Sequence, residues 1–364
     1  MTRSHFALIV VFVLVAVLLF AVRLVDRPEP ALSVPVAADP PPRGYVCYRA
    51  KGPIAVEAGI DSELWKDVPW SEAFRDIEGD LKPDPPFRTR VKMLWDDQTL
   101  YIAAELEEPH VWATLKDHDA VIFHDNDFEV FLDPDADSHL YAELELNALN
   151  TTWDLLLSKP YKDGGRAIDA WEITGLKTAV QVNGTLDDPR DTDRGWTVVI
   201  AWPWKSLKEI ASCPVPPRHG DQWRINFSRV EWDHEVMDGK YRKVAKRPEH
   251  NWVWSPQGVI DMHRPERWGI LQFSTEPPGT TVLRADAAQP ARDYLHRVYY
   301  AQRDYRKANG HYAGTLAILP VGQGGLIAPR METTRNGFEA SVEIPTATGR
   351  ERWRITHDAR VTKD

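Results

Sequence analysis

Cysteine is scarce in this chain, with two among 364 residues, Cys47 and Cys213. At most one disulfide can form within the chain, and in an oxidising compartment it would join the start of the main domain to its later half. Two buried, reduced thiols are the alternative. Cys47 lacks the preceding small residues of a lipidation signal, so the sequence does not indicate a lipoprotein.

Concentrated positive charge is also lacking, because the formal net charge is −10 and residues 242–247 are a short basic stretch that a solvated loop explains. Nucleic-acid binding needs clustered Lys and Arg, so no nucleic-acid partner is expected. The motifs G-x-S-x-G, H-E-x-x-H and C-x-x-C-H are absent. What the chain does have is 43% apolar residues and 15 tryptophans, which can fill a core or present flat rings to ligands.

Long apolar stretches are missing except near the N-terminus, where residues 6–22 follow Arg3. The length of this run lies between a signal-peptide core and a full membrane span. We expect residues 1–27 to be a signal anchor or a cleaved signal peptide, and the Pro/Ala-rich residues 28–43 to be a linker. The charge at Arg3 favours an N-in orientation, which predicts a membrane-anchored or secreted protein whose body is extracytoplasmic, either periplasmic or at the cell surface.

Period-two patterns dominate residues 44–274, with turn signals between short runs and no long helical periodicity. This pattern predicts a mainly β fold, an antiparallel β-sandwich or jelly roll. The predicted strands are 90–95 with 99–106 and 127–132 with 140–148, which form two hairpins, then 153–157, 177–182, 196–202, 223–231 and 268–273.

A different pattern follows residue 274. Residues 275–292 are expected to be a linker and residues 293–364 a small α+β appendage. A helix over 293–308 would end at Gly310, and strands are predicted at 337–344 and 352–356. The tyrosine stripe of the helix needs a surface to pack on, so we expect it to dock on the sandwich or on a protein partner.

The second hairpin separates its side chains into two faces. The apolar face consists of Phe128, Val130, Leu132, Leu140, Ala142, Leu144 and Leu146, and the polar face of Asp127, Glu129, Glu143, Glu145 and Asn147. A six-residue turn would set Glu129 opposite Glu143 and Asp127 opposite Glu145. Since opposed like charges destabilise a sheet, two interpretations remain: a solvated face balanced by Arg224 or Arg229, and a polar floor for a sugar or a cation.

The turn of this hairpin contains Asp133, Asp135 and Asp137, the spacing with which a calcium-binding EF-hand loop begins. An EF-hand needs Gly at the sixth position and Glu at the twelfth, where this chain has Ser138 and Leu144. A β-turn rich in aspartate is the expected structure.

Several segments, in this order and spacing, resemble family 9 carbohydrate-binding modules over residues 54–273. They are IDSELW at 60–65, VKMLWDD at 91–97 with LYI at 100–102, DFEVFLD at 127–133, ELN at 145–147, GWTV at 195–198, WPW at 202–204, INFSR at 225–229 and PERWG at 265–269. The resemblance implies a β-sandwich that binds oligo- or polysaccharides, is often attached to polysaccharide-degrading enzymes, and often carries structural calcium.

The resemblance also implies a site. Two aromatic rings that clamp a terminal sugar fall on Phe123 and Trp254, and an acidic hydroxyl binder falls on Glu129. The arginine that accompanies this acid in the family falls on Glu145, which is a departure. Asn147, Asn226 and Arg229 complete the predicted carbohydrate-binding residues. Aromatic faces beside charged side chains suit a pyranose, whose C–H face packs on a ring while its hydroxyls form charge-assisted hydrogen bonds.

Two other functions fit parts of the sequence. Paired carboxylates also serve glycoside hydrolases, and Asp127, Glu129 and Glu143 could act so; we assign no catalytic residue and expect any hydrolytic role to come through association. Related sandwiches bind haem through Met, His or Lys, for which the candidates are Met93, Met237, Met262 and His263.

Overall fold

The computed structural model describes residues 41–322, 326–346 and 349–364. The predicted signal segment 1–27 and most of the predicted linker 28–43 lie outside these residues. Within the described residues, no helix combines the length and apolar character needed to cross a bilayer.

Fifteen strands lie within residues 41–274 of the described chain, and every strand predicted for that part of the sequence is among them. Strands β1 to β15 are Gly44–Arg49, Arg75–Asp76, Thr89–Trp95, Thr99–Glu107, Asp127–Asp133, Tyr141–Asn147, Thr152–Leu157, Ala167–Ile168, Lys177–Asn183, Gly195–Pro203, Gln222–Glu231, His234–Met237, Lys240–Lys243, His250–Val253 and Gly269–Ser274. The mainly β fold is therefore confirmed.

Thirteen of these strands form one sheet, in the order β8-β7-β6-β5-β11-β15-β1-β3-β4-β10-β9, with β14 beside β11 and β2 beside β14. The sheet curls on itself, because Val91 and Val198 from one half share a core with Phe128 and Leu144 from the other. The prediction of two antiparallel sheets is wrong in one respect. Strand β1 inserts between β15 and β3 and runs parallel to both, so it joins the two layers into a continuous sheet.

The hairpin β5–β6 has the predicted faces but not the predicted register. The predicted core residues Phe128, Val130, Leu132, Leu144 and Leu146 are fully buried. Glu129 pairs with Glu145 and Asp127 with Asn147, two residues from the expected register. Because a shift of two keeps every side chain on its face, the separation of faces survives. Leu140 lies outside the strand with φ 48° and is 40% exposed, so its predicted place in the core is wrong.

The connection between β5 and β6 is the aspartate-rich turn that the sequence predicts. The Asp133 carboxylate accepts hydrogen bonds from the backbone N–H groups of Ala136 and Ser138, at 2.8 and 2.9 Å. Asp137 accepts one from Arg360 Nε at 2.9 Å. The turn is thus closed by its own backbone and held by a residue near the C-terminus.

The C-terminal part contains one helix and a second sheet. Helix α1 spans Gln289–Asn309 and ends at Gly310, whose φ of 78° is the left-handed conformation that glycine adopts readily. Strands β16 to β19 are Ile327–Thr333, Phe338–Thr346, Gly349–Thr356 and Val361–Lys363. The helix begins inside the predicted linker 275–292, because Pro290 stands in its first turn, where proline is favourable.

Helix α1 docks on the β domain as expected, but through Tyr299 and Tyr300, whereas Tyr294 of the predicted stripe packs in the core of the C-terminal part. The Tyr300 hydroxyl donates to Glu266 Oε1 at 2.5 Å. Arg303 Nη1 donates to Asp163 Oδ1 at 2.8 Å, and Tyr299 donates to the same carboxylate. The C-terminal part therefore has its own apolar core but is attached to the β domain by polar contacts.

The predicted disulfide is absent, and both cysteines are free thiols. Cys47 is buried in the core on β1, whereas the Cys213 thiol donates to the Pro134 carbonyl at 3.3 Å. Burial raises the pKa of Cys47 well above its usual range and that of Cys213 to about 12. The two sulfurs thus lie in different surroundings. The alternative of two reduced thiols is the one observed.

An acidic cavity with an aromatic rim

The outer face of strands β5, β6 and β7 forms the floor of a cavity of about 130 Å³. Alternation along each strand sends Glu129, Glu143 and Glu145 away from the core, and Trp153 of β7 lies beside Glu145 in register. Loops from distant parts of the chain complete the walls. The lining residues are Phe123, Glu129, Phe131, Glu143, Glu145, Trp153, Leu155, Tyr161, Val230, Glu249, Asn251, Met262 and His263.

The acidic side chains of this floor are buried without cations. Glu129 is 6% exposed, and Asp127, Glu143 and Glu145 are less exposed still. Within the part of the chain that the structure describes, none of these four carboxyl groups takes part in an ion pair. Arg224 faces Asp286 instead, and Arg229 pairs with Glu108 and Glu231. The interpretation of a solvated face balanced by Arg224 or Arg229 is therefore wrong.

Burial without cations changes the protonation of the floor. It raises the pKa of Glu129 to about 7. Burial and, after it, neighbouring carboxyl groups raise the pKa values of Asp127, Glu143 and Glu145 well above their usual range. Near neutral pH the floor thus contains protonated carboxyl groups, which donate a hydrogen bond, beside oxygens that accept one.

Two buried carboxyl oxygens have no hydrogen-bond partner among the described residues: Glu143 Oε2, whose residue lines the cavity, and Asp127 Oδ2, whose residue lies behind the lining. The other contacts are few: the N–H of Val230 donates to Asp127 Oδ1 at 3.2 Å, and the N–H of Phe123 donates to Glu145 Oε2 at 2.9 Å. Because buried polar atoms are nearly always paired, unpaired oxygens beside a cavity indicate a place for a ligand or an ion.

Aromatic rings form the rim of the cavity. The rings of Phe123 and Trp153 are nearly parallel, with centroids 6.4 Å apart and 28° between their planes. Trp232 Nε1 donates to the Phe123 carbonyl at 2.9 Å and holds that segment in place. Tyr161 is 45% exposed and packs edge-on against His263, with ring centroids 4.5 Å apart. Phe123 therefore lies where the sequence predicts, beside an acidic floor.

Trp254 does not lie at this rim. Its side chain is 1% exposed and packs in the core against Phe227, with ring centroids 6.0 Å apart. It also covers Gly269, where an added Cβ would lie 2.1 Å from the indole. A ring enclosed in this way has no free face, so the prediction of Trp254 as a sugar platform is wrong, and the aromatic partner of Phe123 is the half-buried Trp153.

Arg229 lies on the opposite face of β11 from the floor, because it alternates with Ser228, which pairs with Glu129. Its guanidinium is 1% exposed, lies 2.6 Å from Glu108 Oε2 and 2.8 Å from Glu231 Oε2, and stacks on Trp252. The guanidinium of Arg229 thus makes its ion pairs and its ring contact within the protein. The predicted role of Arg229 in ligand binding is therefore wrong.

Asn147 and Asn226 are buried and fully engaged with the backbone. The Asn147 amide donates to the Leu115 carbonyl at 2.9 Å, and its oxygen accepts from the N–H of Leu149. Asn226 exchanges two hydrogen bonds of 2.9 Å with the backbone of Ser255. Both predicted ligand contacts are thus structural, and they brace the loops beside the cavity.

Cation binding and haem binding are the two other functions to compare with this cavity. Asp127, Glu129 and Glu145 can offer one oxygen each within 4.8 Å of one another, a set that could hold a cation. Of the residues considered for haem, Met93 is buried in the core, and Met262 and His263 border the cavity. A cavity of about 130 Å³ leaves no room for a macrocycle beside them.

The sequence interpretation missed Trp153, Tyr161, Glu249 and Asn251, and it considered His263 only as a haem ligand. For Trp153 a signal was present, because strand alternation places it on the same face as Glu145 once β7 pairs with β6. The others reach the cavity from loops and from β14. Their positions follow from the long-range pairing of β14 with β11, which no local pattern reveals.

Residues 56–209 match the family described as carbohydrate family 9 binding domain-like. The resemblance found in the sequence is therefore confirmed over this range, which covers less than half of the chain. The matched range includes the floor strands β5, β6 and β7 together with Phe123 and Tyr161. Glu249, Asn251, Met262 and His263 lie beyond it.

Solved structures resemble the chain more distantly, each at 15% identity. A family 9 module from Caldicellulosiruptor kristjanssonii, in complex with cellotriose, covers 66% of this chain and 100% of its own with a TM-score of 0.41; in complex with glucose the TM-score is 0.42 over the same shares. A protein from Bacteroides uniformis, named as a candidate carbohydrate-binding protein, covers 64% and 99% with a TM-score of 0.47. No curated protein matches the sequence.

Proposed function

We propose that the acidic cavity binds one sugar residue of an oligo- or polysaccharide. The observation that carries the proposal is the buried, unpaired oxygen Glu143 Oε2 in the lining of a cavity with an aromatic rim. An unpaired buried polar atom costs about 1–3 kcal/mol, which ligand hydroxyl groups would recover by donating to it.

The rim and the floor suit the two sides of a pyranose. The half-buried rings of Phe123 and Trp153 offer an apolar surface for the C–H face of the sugar. The floor offers carboxyl groups in both protonation states, because burial raises the pKa of Glu129 to about 7. A hydroxyl group both donates and accepts hydrogen bonds, so a mixed floor can satisfy each hydroxyl in both ways.

The size of the cavity favours a chain end. Its volume of about 130 Å³ is below the ~300–1,000 Å³ of pockets that enclose drug-sized ligands. A single terminal residue can enter it, whereas an internal stretch of a polymer would have to lie across the rim. Glu145 stands where the family has an arginine, so the preferred sugar is expected to differ from that of the arginine-containing modules.

The cellular role follows from the N-terminal sequence. With residues 1–27 as a signal anchor or signal peptide, the domain would act outside the cytoplasm, at the membrane or after release. There it would capture polysaccharide for enzymes that break it down, and it would do so without a catalytic residue of its own.

The proposal is tested by calorimetric titration of the full-length protein with a panel of mono- and oligosaccharides. Glucose and cellotriose serve as first probes, and a glycan array extends the search. Glu129→Gln should weaken binding of the best ligand by about tenfold or more, through loss of a charge-assisted hydrogen bond. Glu105→Gln is the matched control, because this acid lies on β4 and pairs with Arg90 outside the cavity.

A chelator separates sugar binding from cation binding at the same floor. If Asp127, Glu129 and Glu145 hold structural calcium, chelation should lower the melting temperature and the sugar affinity together. If the floor binds sugar directly, chelation leaves the affinity unchanged. Equal sugar affinities for Glu129→Gln and the wild type would contradict the proposed site, and the absence of binding to any glycan would contradict the proposed function.

A further inference from the structure

A second cluster of potential ligands lies on the other side of strand β7. Asp154 alternates with Trp153 and Leu155, so it faces away from the acidic cavity. His118 and Asp119, from the loop before β5, and Glu172, from the connection between β8 and β9, surround it. The cluster borders a separate cleft and shares no residue with the cavity described above.

The distances within this cluster centre on one nitrogen. His118 Nε2 lies 3.4 Å from Asp119 Oδ1, 3.8 Å from Asp154 Oδ1 and 3.4 Å from Glu172 Oε2. Charge-assisted hydrogen bonds are shorter, at about 2.7–2.9 Å, and one N–H cannot serve three carboxylates. Ligands about 2.0–2.1 Å from a tetrahedral ion lie roughly 3.3 Å from one another, which is close to the distances of the Asp119 and Glu172 oxygens from Nε2.

The orientation of His118 also fits a metal ligand. Its Nδ1 lies 2.9 Å from the Thr152 carbonyl, to which it donates, so the lone pair of the neutral ring is on Nε2 and faces the carboxylates. The N–H of Asp119 donates to the same carbonyl at 3.1 Å. A backbone carbonyl that fixes the ring in this way is the usual outer contact of a metal-bound histidine.

Asp154 provides the independent observation. Its side chain is 2% exposed, and Oδ2 accepts a hydrogen bond from the N–H of Ile173. Oδ1 is buried with no hydrogen-bond partner among the described residues and lies 3.8 Å from His118 Nε2. A carboxylate held by one oxygen therefore points its other oxygen, unpaired, at the centre of the cluster.

We propose that His118, Asp119, Asp154 and Glu172 bind a divalent zinc ion. The first three offer atoms within 4.8 Å of one another, and Glu172 supplies the fourth at the solvent side. An imidazole with carboxylates suits zinc, whereas calcium and magnesium prefer sites made only of oxygen. The ion would tie the loop before β5 and the β8–β9 connection to strand β7.

The competing explanation is a protonated His118 that pairs with the three carboxylates. Partial burial lowers the pKa of His118, but the Thr152 carbonyl and the carboxylates of Asp119, Glu172 and Asp154 outweigh it, and the net pKa is raised. Protonation and metal binding compete for the same nitrogen, His118 Nε2. If the cluster is a metal site, added zinc binds and raises the melting temperature; if it is only an ion pair of protonated His118, zinc does neither.

The test uses the full-length protein without a histidine tag, stripped with chelator and dialysed. Titration with zinc chloride by calorimetry should give one site, and zinc should raise the melting temperature while calcium does not. His118→Ala and Asp154→Asn should each weaken zinc binding by at least about tenfold. Glu172→Gln changes an exposed side chain that the fold does not need, so it reports on the site even if the other variants unfold.

His250→Ala is the matched control, because His250 Nε2 lies 3.2 Å from Asp233 in an ordinary surface pair. It should bind zinc like the wild type. The proposal is overturned if the wild type takes up no stoichiometric zinc, if Glu172→Gln and His118→Ala bind zinc as the control does, or if calcium stabilises the protein as much as zinc.

Discussion

Two groups of buried carboxyl side chains lie on opposite faces of strand β11 and its neighbours. On one face, Glu108 and Glu231 enclose Arg229, which stacks on Trp252 and has partners for its donors. On the other face, the floor of the cavity gathers Glu129 with the glutamates of β6 and has no cation among the described residues. Burial is similar in both groups, so burial alone does not separate them.

The difference lies in how each group is satisfied. A buried ion pair with complete hydrogen bonds is closed to ligands, and removing one partner leaves an uncompensated charge. A buried group of carboxyls with unpaired oxygens can accept hydrogen bonds from a ligand. Protonation lowers the free-energy cost of burying it, because a neutral carboxyl group is less costly to bury than a carboxylate. Within one chain, the presence of Arg229 marks the structural group, and the lack of an ion pair among the described residues marks the group that we propose binds a ligand.

The largest expected effect comes from breaking the paired group. Arg229→Ala should lower the free energy of unfolding by about 3–5 kcal/mol, because Glu108 and Glu231 would remain buried without their cation. Urea unfolding followed by circular dichroism measures the change. Arg190→Ala, at a side chain 87% exposed, should change the stability little. A loss below about 1 kcal/mol for Arg229→Ala would show that the two groups do not differ as described.

Two tryptophans sharpen the comparison between the core and the cavity. Trp254→Ala should cost about 3–5 kcal/mol of stability, because it empties a core position. Trp153→Ala should cost less stability and instead weaken sugar binding by roughly ten- to a hundredfold, by analogy with stacking of bases on aromatic rings. Thermal unfolding and calorimetric titration of both variants separate the two roles. If Trp254→Ala weakened sugar binding and Trp153→Ala did not, Trp254 rather than Trp153 would belong to the binding site.

The unpaired group should make stability fall as the pH rises. Burial raises the pKa of Glu129 from 4.5 to about 7, so between these values the folded state holds a proton that the unfolded state releases. The unfolded state then binds fewer protons, and the free energy of unfolding decreases with pH. Glu129→Gln should reduce this slope and be more stable than the wild type at about pH 8, by on the order of 1–3 kcal/mol.

Urea unfolding at a series of pH values checks this prediction. Glu105→Gln removes an acid that is paired with Arg90 and should leave the slope between pH 5 and 8 as it is in the wild type. If Glu129→Gln and Glu105→Gln show the same pH dependence, the floor does not hold protons in the way that its burial implies.

The smallest effect is expected for the ion pair between Asp137 and Arg360, whose cation is half exposed. Arg360 is 50% exposed and pairs with Asp137 at 2.9 Å. Arg360→Ala should cost less than about 1 kcal/mol, because solvent screens the pair and ordering the side chain opposes it. A thermal shift larger than that of Arg229→Ala would mean that attachment of the C-terminal part, rather than the buried ion group, limits stability.

Local patterns in the sequence predicted much of the fold and part of the site. Alternation placed Phe128 and Glu129 on opposite faces, because one side of β5 had to be apolar. Register was not predictable, since it depends on the turn geometry at Ala136, Ser138 and Leu140, whose positive φ values no local pattern indicates. The prediction that Trp254 is a sugar platform, made from its position in the sequence, was also wrong. The curl of the sheet decides which tryptophan is enclosed, and the curl depends on long-range contacts.

Strand β1 has a consequence for how the domain is made. It lies at the centre of the sheet, yet Gly44 pairs with Ile270 and Tyr48 with Leu94, so one of its neighbours comes from the far end of the domain. Pairings between positions so distant in sequence form late, and slowly. A ribosome or a secretion channel that delivers the chain from its N-terminus would release β1 first and β15 last. The curled sheet can close only after residue 274 has emerged, so closure of the domain waits for the last of its strands.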